Sequence, residues 1–187
     1  MISKTRTFVR YSIREGVAAE RLRNLLEGFI MYRETSSSNM VDRFCELTAS
    51  VFYIGYSPVA PGTIGSFAAL FLYYFLKGNP YLMAAGIFSC FILGLLTAGR
   101  AECFIGGKDS GEIVIDEFTG MLVSLFLLPP TMGYVVSAFI LFRFFDIIKP
   151  RPIKSIENFD GSLGIMLDDV VAGVYANVIL QVVYRLF

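Results

Sequence analysis

Residues 113–150 read IVIDEFTGMLVSLFLLPPTMGYVVSAFILFRFFDIIKP. Two apolar runs, 113–128 and 132–148, flank Pro129-Pro130, and a double proline ends any helix that reaches it. The stretch therefore predicts a helical hairpin. No charged residue falls between Phe118 and Phe142, so the charges gather at the hairpin's open end. Asp116 and Glu117 lie on one arm there; Arg143, Asp146 and Lys149 lie on the other. Neighbouring carboxylates repel each other and are costly to desolvate, so they fit poorly beside apolar runs unless something relieves them. A hard divalent cation, which takes oxygen ligands, would do so.

The same plan extends in both directions. Apolar runs 64–76 and 80–98 are split by the turn signal Gly78-Asn79-Pro80. A last run, 168–187, opens on a second acid pair, Asp168-Asp169, and has no charge from Val170 to Tyr184. At the front, Ala18, Leu22, Leu25, Leu26, Phe29 and Ile30 share one face of an amphipathic helix over 17–33, followed by a polar linker at 35–39. That helix packs on the rest of the protein or lies in a membrane interface. The expected fold is all-α: a membrane-associated helical bundle of two helical hairpins plus a C-terminal helix, preceded by an amphipathic N-terminal helix. Residues 1–40 form the extension and linker, and 41–187 the main domain.

Composition agrees. Of 187 residues, 55% are hydrophobic and 17% charged, with mean hydropathy +0.62, against about 25% charged in ordinary soluble domains. Run 64–76 covers about 20 Å as a helix, less than a hydrocarbon core of about 30 Å, so partial embedding competes with spanning. If both hairpins insert, the two turns share one end. The other end carries Arg100, Lys108, Arg143, Lys149, Arg151 and Lys154 together with every polar motif. By the positive-inside rule that end is expected to face the cytoplasm. Cys45, Cys90 and Cys103 have no paired spacing, which suits a reducing compartment. The N-terminus shows no secretory h-region. No basic patch suggests nucleic acid as a partner, and nothing sets the oligomeric state.

Four motifs lie at the polar end. Ser57-Pro-Val-Ala-Pro-Gly-Thr-Ile-Gly-Ser66 is a tight loop before a helix, with Thr63 or Ser66 as cap; its free N–H groups favour a phosphate. In the second motif Glu112 and Asp116 share a face if helical. Arg143, Asp146 and Lys149 form a polar stripe at i, i+3, i+6. Gly161 to Gly173 carries Asp168 and Asp169, the first placed as an N-cap. Taken singly, each has an ordinary reading as a capped loop, an acidic helix start, a snorkelling helix end or a cap.

Together, SPVAPGTIGS (57–66), IVIDEFTGM (113–121), FRFFDIIKPRPI (142–153) and GIMLDDVVAGVYA (164–176) resemble the phosphatidylglycerophosphatase A family in order and separation. The resemblance covers Tyr56 to Ala176. It implies a membrane-associated bacterial enzyme that removes the terminal phosphate of phosphatidylglycerophosphate with Mg²⁺, leaving phosphatidylglycerol. The family's polar positions fall on Ser57, Thr63, Ser66, Asp116, Glu117, Asp146, Lys149, Asp168 and Asp169. The extension before residue 45 is no part of the resemblance. Where some members carry histidines, this chain has Lys108-Asp109-Ser110.

Elimination points the same way. The chain has no histidine, which excludes phosphohistidine chemistry. Cysteine phosphatases need an arginine six residues past the nucleophile, where this chain has Val51, Leu96 and Asp109. What remains is a metal-activated water or an aspartate nucleophile. The expected roles are Asp116, Glu117, Asp168 and Asp169 for Mg²⁺; Ser57, Thr63, Ser66, Arg143 and Lys149 for phosphate; and Glu117 or Asp146 to orient or deprotonate water. A non-enzymatic membrane carrier or metal-binding protein using the same acids is the competing reading. It would want its acids at mid-membrane rather than at the edge.

Overall fold

The structure, a computed structural model, describes residues 40–105, 110–151, 153–156 and 161–186. The amphipathic helix expected over 17–33 and the pair Lys108-Asp109 lie outside them. The described chain is helical throughout: α1 (Met40–Ala49), a 3₁₀ turn (Ile54–Tyr56), α2 (Pro61–Leu76), α3 (Pro80–Ile105), α4 (Ile115–Ser124), α5 (Met132–Ile148), α6 (Ile153–Ile156) and α7 (Ser162–Leu186).

Helix α4 is the hub, packing against α7, α2 and α3, while α5 also lies along α7. Its sequence explains that place. Phe118, Thr119, Gly120, Met121 and Leu122 are all buried, so no side of the helix is left for solvent. Phe142, Met121, Leu122, Leu125 and Ile153 are the largest fully buried apolar side chains of the core around it.

Both turns fall where the sequence puts them. Asn79 Oδ1 accepts the N–H groups of Tyr81 (2.9 Å) and Leu82 (3.3 Å), capping α3 with Pro80 in its first turn. The apolar runs, however, are poor guides to helix ends. The run at 80–98 continues as helix to Ile105, and that at 113–128 is helical only over Ile115–Ser124. Beyond Ser124 the chain turns, with Leu127 in the left-handed region (φ 58°). Amides from α7 hold the freed carbonyls: Asn177 Nδ2 donates to Ser124 O (3.1 Å) and Phe126 O (2.7 Å), and Gln181 Nε2 to Phe126 O (3.2 Å) and Leu127 O (3.0 Å).

The run at 168–187 is part of a helix that begins at Ser162, so Asp168 and Asp169 sit in its second turn and neither is a cap. Glu112 likewise precedes α4 and bonds Ser110, so it shares no helix face with Asp116.

Helices α3 (26 residues) and α7 (25 residues) are long and apolar enough to cross a bilayer, at about 1.5 Å per residue. Helices α2 and α5, at 16 and 17 residues, reach only about 24–26 Å. Large apolar side chains stand exposed along these helices, among them Phe71 (73%), Phe88 (66%), Leu96 (70%) and Ile147 (72%). Apolar surface of that extent suits lipid better than water.

Candidate active site

Two glycines set the geometry. A Cβ on Gly120 would come within 2.6 Å of Asp169 O and of the Phe142 ring, and one on Gly173 would collide with Gly120 O. Helices α4 and α7 therefore cross backbone to backbone. Each glycine lies one turn past an acid pair, so the crossing brings the pairs together. Carboxylate oxygens of Asp116, Glu117 and Asp169 lie within 4.8 Å of one another. In both pairs the first acid folds back on its neighbour: Asp116 Oδ1 accepts Glu117 N–H (3.0 Å), and Asp168 Oδ1 accepts Asp169 N–H (2.9 Å).

The end of α5 supplies the cations. Arg143 Nη1 lies 2.6 Å from Asp146 Oδ2, as an ion contact off the hydrogen-bond line, and 3.9 Å from Glu117 Oε1. Asp146 also reaches Asp169. Lys149 closes α5 in the left-handed conformation (φ 45°), and its Nζ donates to Asp168 Oδ2 at 2.9 Å. Asp168 thus stands outside the three-acid cluster, holding the lysine. The expected four-acid set is geometrically a three-acid set plus an Asp168–Lys149 pair.

The loop motif reaches the same point. A Cβ on Gly62 would collide with Glu117 Oε1 and approach Arg143 Nη1 to 3.3 Å, so the first turn of α2 rests on the acids. No side chain caps α2: its N-cap is Ala60 (φ 45°), with Pro61 at N1. The expected Thr63 or Ser66 cap is therefore absent, and the helix leaves its first N–H groups for a ligand. Thr63 is half-buried in this turn, and Ser57 Oγ donates to Val59 O (3.3 Å). Ser66 differs from its expected role. It is fully buried, and its hydroxyl donates to Gly62 O (2.8 Å), so it braces the helix and offers phosphate nothing.

The electrostatics of the site are dominated by acids. Asp116, Glu117, Asp146, Asp168 and Asp169 outnumber Arg143 and Lys149 five to two. Burial, and then the charge of Glu117, pushes the Asp116 carboxyl well above its ordinary range; burial also raises Glu117. Glu117 Oε2 is buried with no hydrogen-bond partner. An all-oxygen donor set with an orphaned carboxylate oxygen fits Mg²⁺.

The fold and site are those of an all-helical protein with a buried acidic centre under a helix start, and the sequence matches give its class, a phosphoric monoester hydrolase. Residues 47–184 match the sequence profile of phosphatidylglycerophosphatase A, and the chain belongs to that family. A Bacteroides thetaiotaomicron protein, provisionally named a phosphatidylinositol-3-phosphatase, is 38% identical over an alignment of 146 residues that covers 73% of this chain and 91% of that one. Phosphatidylglycerophosphatase A of Escherichia coli K12 is 38% identical over 137 residues (72% and 80%). That of Haemophilus influenzae is 38% identical over 138 residues (72% and 85%). No solved structure matches the chain.

Proposed function

We propose that this protein hydrolyses phosphatidylglycerophosphate to phosphatidylglycerol and inorganic phosphate, as a Mg²⁺-dependent step of phospholipid synthesis. The observation that carries the reading is the convergence of Asp116, Glu117 and Asp169 beneath the uncapped start of α2. Asp116, Glu117 and Asp169 would hold Mg²⁺, which when bound supplies charge neutralisation and an acidified water. Arg143, Lys149 and the first N–H groups of α2, with Thr63 and Ser57 at the loop, bind the phosphate oxygens. Of the two acids outside the three-oxygen set, Asp168 holds Lys149, and Asp146 takes the proton of the attacking water. The new bond joins that water's oxygen to phosphorus. The P–O bond to the glycerol breaks, and the leaving alcohol oxygen receives the proton that Asp146 took from the water. Asp168 keeps Lys149 in place throughout.

The proposed setting is the inner membrane of a bacterium, with α3 and α7 crossing and the acids at the cytoplasmic face. Arg143, Lys149, Arg151 and Lys154 lie toward that end, against Lys77 and Arg185 toward the other.

The Bacteroides relative supports a second substrate, a phosphoinositide monoester. Phosphate release by the purified protein in detergent, from each lipid, with Mg²⁺ and then with EDTA, decides both points. Magnesium-dependent release from phosphatidylglycerophosphate at the higher kcat/KM is expected. Preference for the phosphoinositide would move the substrate assignment. No release from either lipid would return the acids to a carrier or metal-binding role.

A further inference from the structure

The far end of α2 carries polar groups that the acid site does not use. Lys77 is the sole charge between Glu46 and Arg100, and it follows α2's last residue, about 24 Å along the helix from the acids. It is exposed, with its Nζ 4.4 Å from the centroid of the Tyr74 ring. One turn deeper, Tyr73 is only 6% exposed, and its hydroxyl is buried with no hydrogen-bond partner. Both residues line a groove of about 520 Å³ between α2 and α5, floored by Phe67 packed edge-on against Phe139 at 5.4 Å. A cation at the C-terminus of a helix is ordinary. A buried phenol without an acceptor is not.

Along α2 the groove runs from charge, through a hydroxyl, to hydrocarbon. From Lys77 to Phe67 is ten residues, or about 15 Å, half of a hydrocarbon core of about 30 Å. That order and depth match one phospholipid in one leaflet: phosphate outermost, ester oxygens about 6 Å deeper at Tyr73, and acyl chain beside Leu70, Val135 and Phe139. We infer that the α2/α5 groove is a binding site for an anionic phospholipid of the leaflet opposite the acids, its phosphate paired with Lys77 and an ester carbonyl accepting the Tyr73 hydroxyl. The inference rests on the chain lying in a bilayer and not on its phosphatase chemistry.

Native mass spectrometry of the full chain released from detergent, loaded with phosphatidylglycerol or with zwitterionic phosphatidylcholine, tests it. The wild type should retain one phosphatidylglycerol in preference to phosphatidylcholine. Lys77→Gln and Tyr73→Phe should each weaken that retention about five- to tenfold. Glu117→Gln should leave it unchanged, separating this site from the acids. Equal retention of both lipids, retention indifferent to Lys77→Gln and Tyr73→Phe, or loss only in Glu117→Gln would overturn the inference. Phosphate release by Lys77→Gln, measured in parallel, reports on the acid site independently.

Discussion

At the residue scale the two acid pairs divide their labour unequally. Asp169 joins Asp116 and Glu117, whereas both oxygens of Asp168 are engaged, by Lys149 Nζ and by Asp169 N–H. Asp169→Asn should therefore abolish turnover in a protein that still folds, as judged by phosphate release and circular dichroism. Asp168→Asn should act through the lysine. A loss of about 10–100-fold is expected, mostly as a raised KM for lipid phosphate, with Mg²⁺ dependence kept. Nothing in the sequence separates the two aspartates, because the lysine that claims one of them lies nineteen positions away and turns on a left-handed φ.

The raised Asp116 and Glu117 carboxyls carry a pH signature. A folded-state pKa above the unfolded one means that the native state binds more protons in that window, so unfolding free energy falls as pH rises. Without metal, stability should be greatest below about pH 4, where both states are protonated, and should decline above it. Thermal unfolding in detergent with EDTA measures the decline, and added Mg²⁺ should remove it. A metal-free protein no less stable at pH 7 than at pH 4 would contradict the burial of uncompensated acids.

At the scale of elements, the crossing of α4 and α7 sets the site. Gly173→Ala would place a methyl on Gly120 O, and backbone cannot yield as a side chain does. A cost of about 1–3 kcal/mol and loss of turnover are expected, measured by unfolding and phosphate release. The sequence shows Gly173 and Ala176 as small residues suited to close packing, and it shows both hairpin turns through Asn79-Pro80 and Pro129-Pro130. It hides the ends of α3, α4 and α7. Uniformly apolar runs have no periodicity that changes at a helix end, and the amides that finish α4 belong to Asn177 and Gln181 on another helix. Their i, i+4 spacing in an otherwise uncharged run was the available signal. The short α1, tied by Asp42 to Arg100 at 2.7 Å and by Ala49 O to Val114 N–H at 3.0 Å, likewise lacks a strong local mark.

Across the whole molecule, the acids lie at one end of the helices and Lys77 at the other. That arrangement predicts a topology. In a variant with Asn79→Cys, a membrane-impermeant maleimide applied to intact cells should label position 79, in the α2–α3 turn. Native Cys103, exposed near the end of α3, should be labelled only after the membrane is opened. The reverse pattern would place the acids outside. Fold class and the gathering of polar motifs were legible because long uncharged runs leave charge only at the ends of the helices they form. The third dimension, in which Gly62 brings the loop onto Glu117, was not, because it depends on packing between helices far apart in sequence.

The central claim is that Asp116, Glu117 and Asp169 form a divalent-cation centre. Binding of Mn²⁺, read by its electron paramagnetic resonance signal in wild type, Asp169→Asn and Asp168→Asn, tests it most directly. The account predicts saturable binding in wild type, competed by Mg²⁺, lost in Asp169→Asn and retained in Asp168→Asn. Equal binding by all three proteins, or none by the folded wild type, would contradict it.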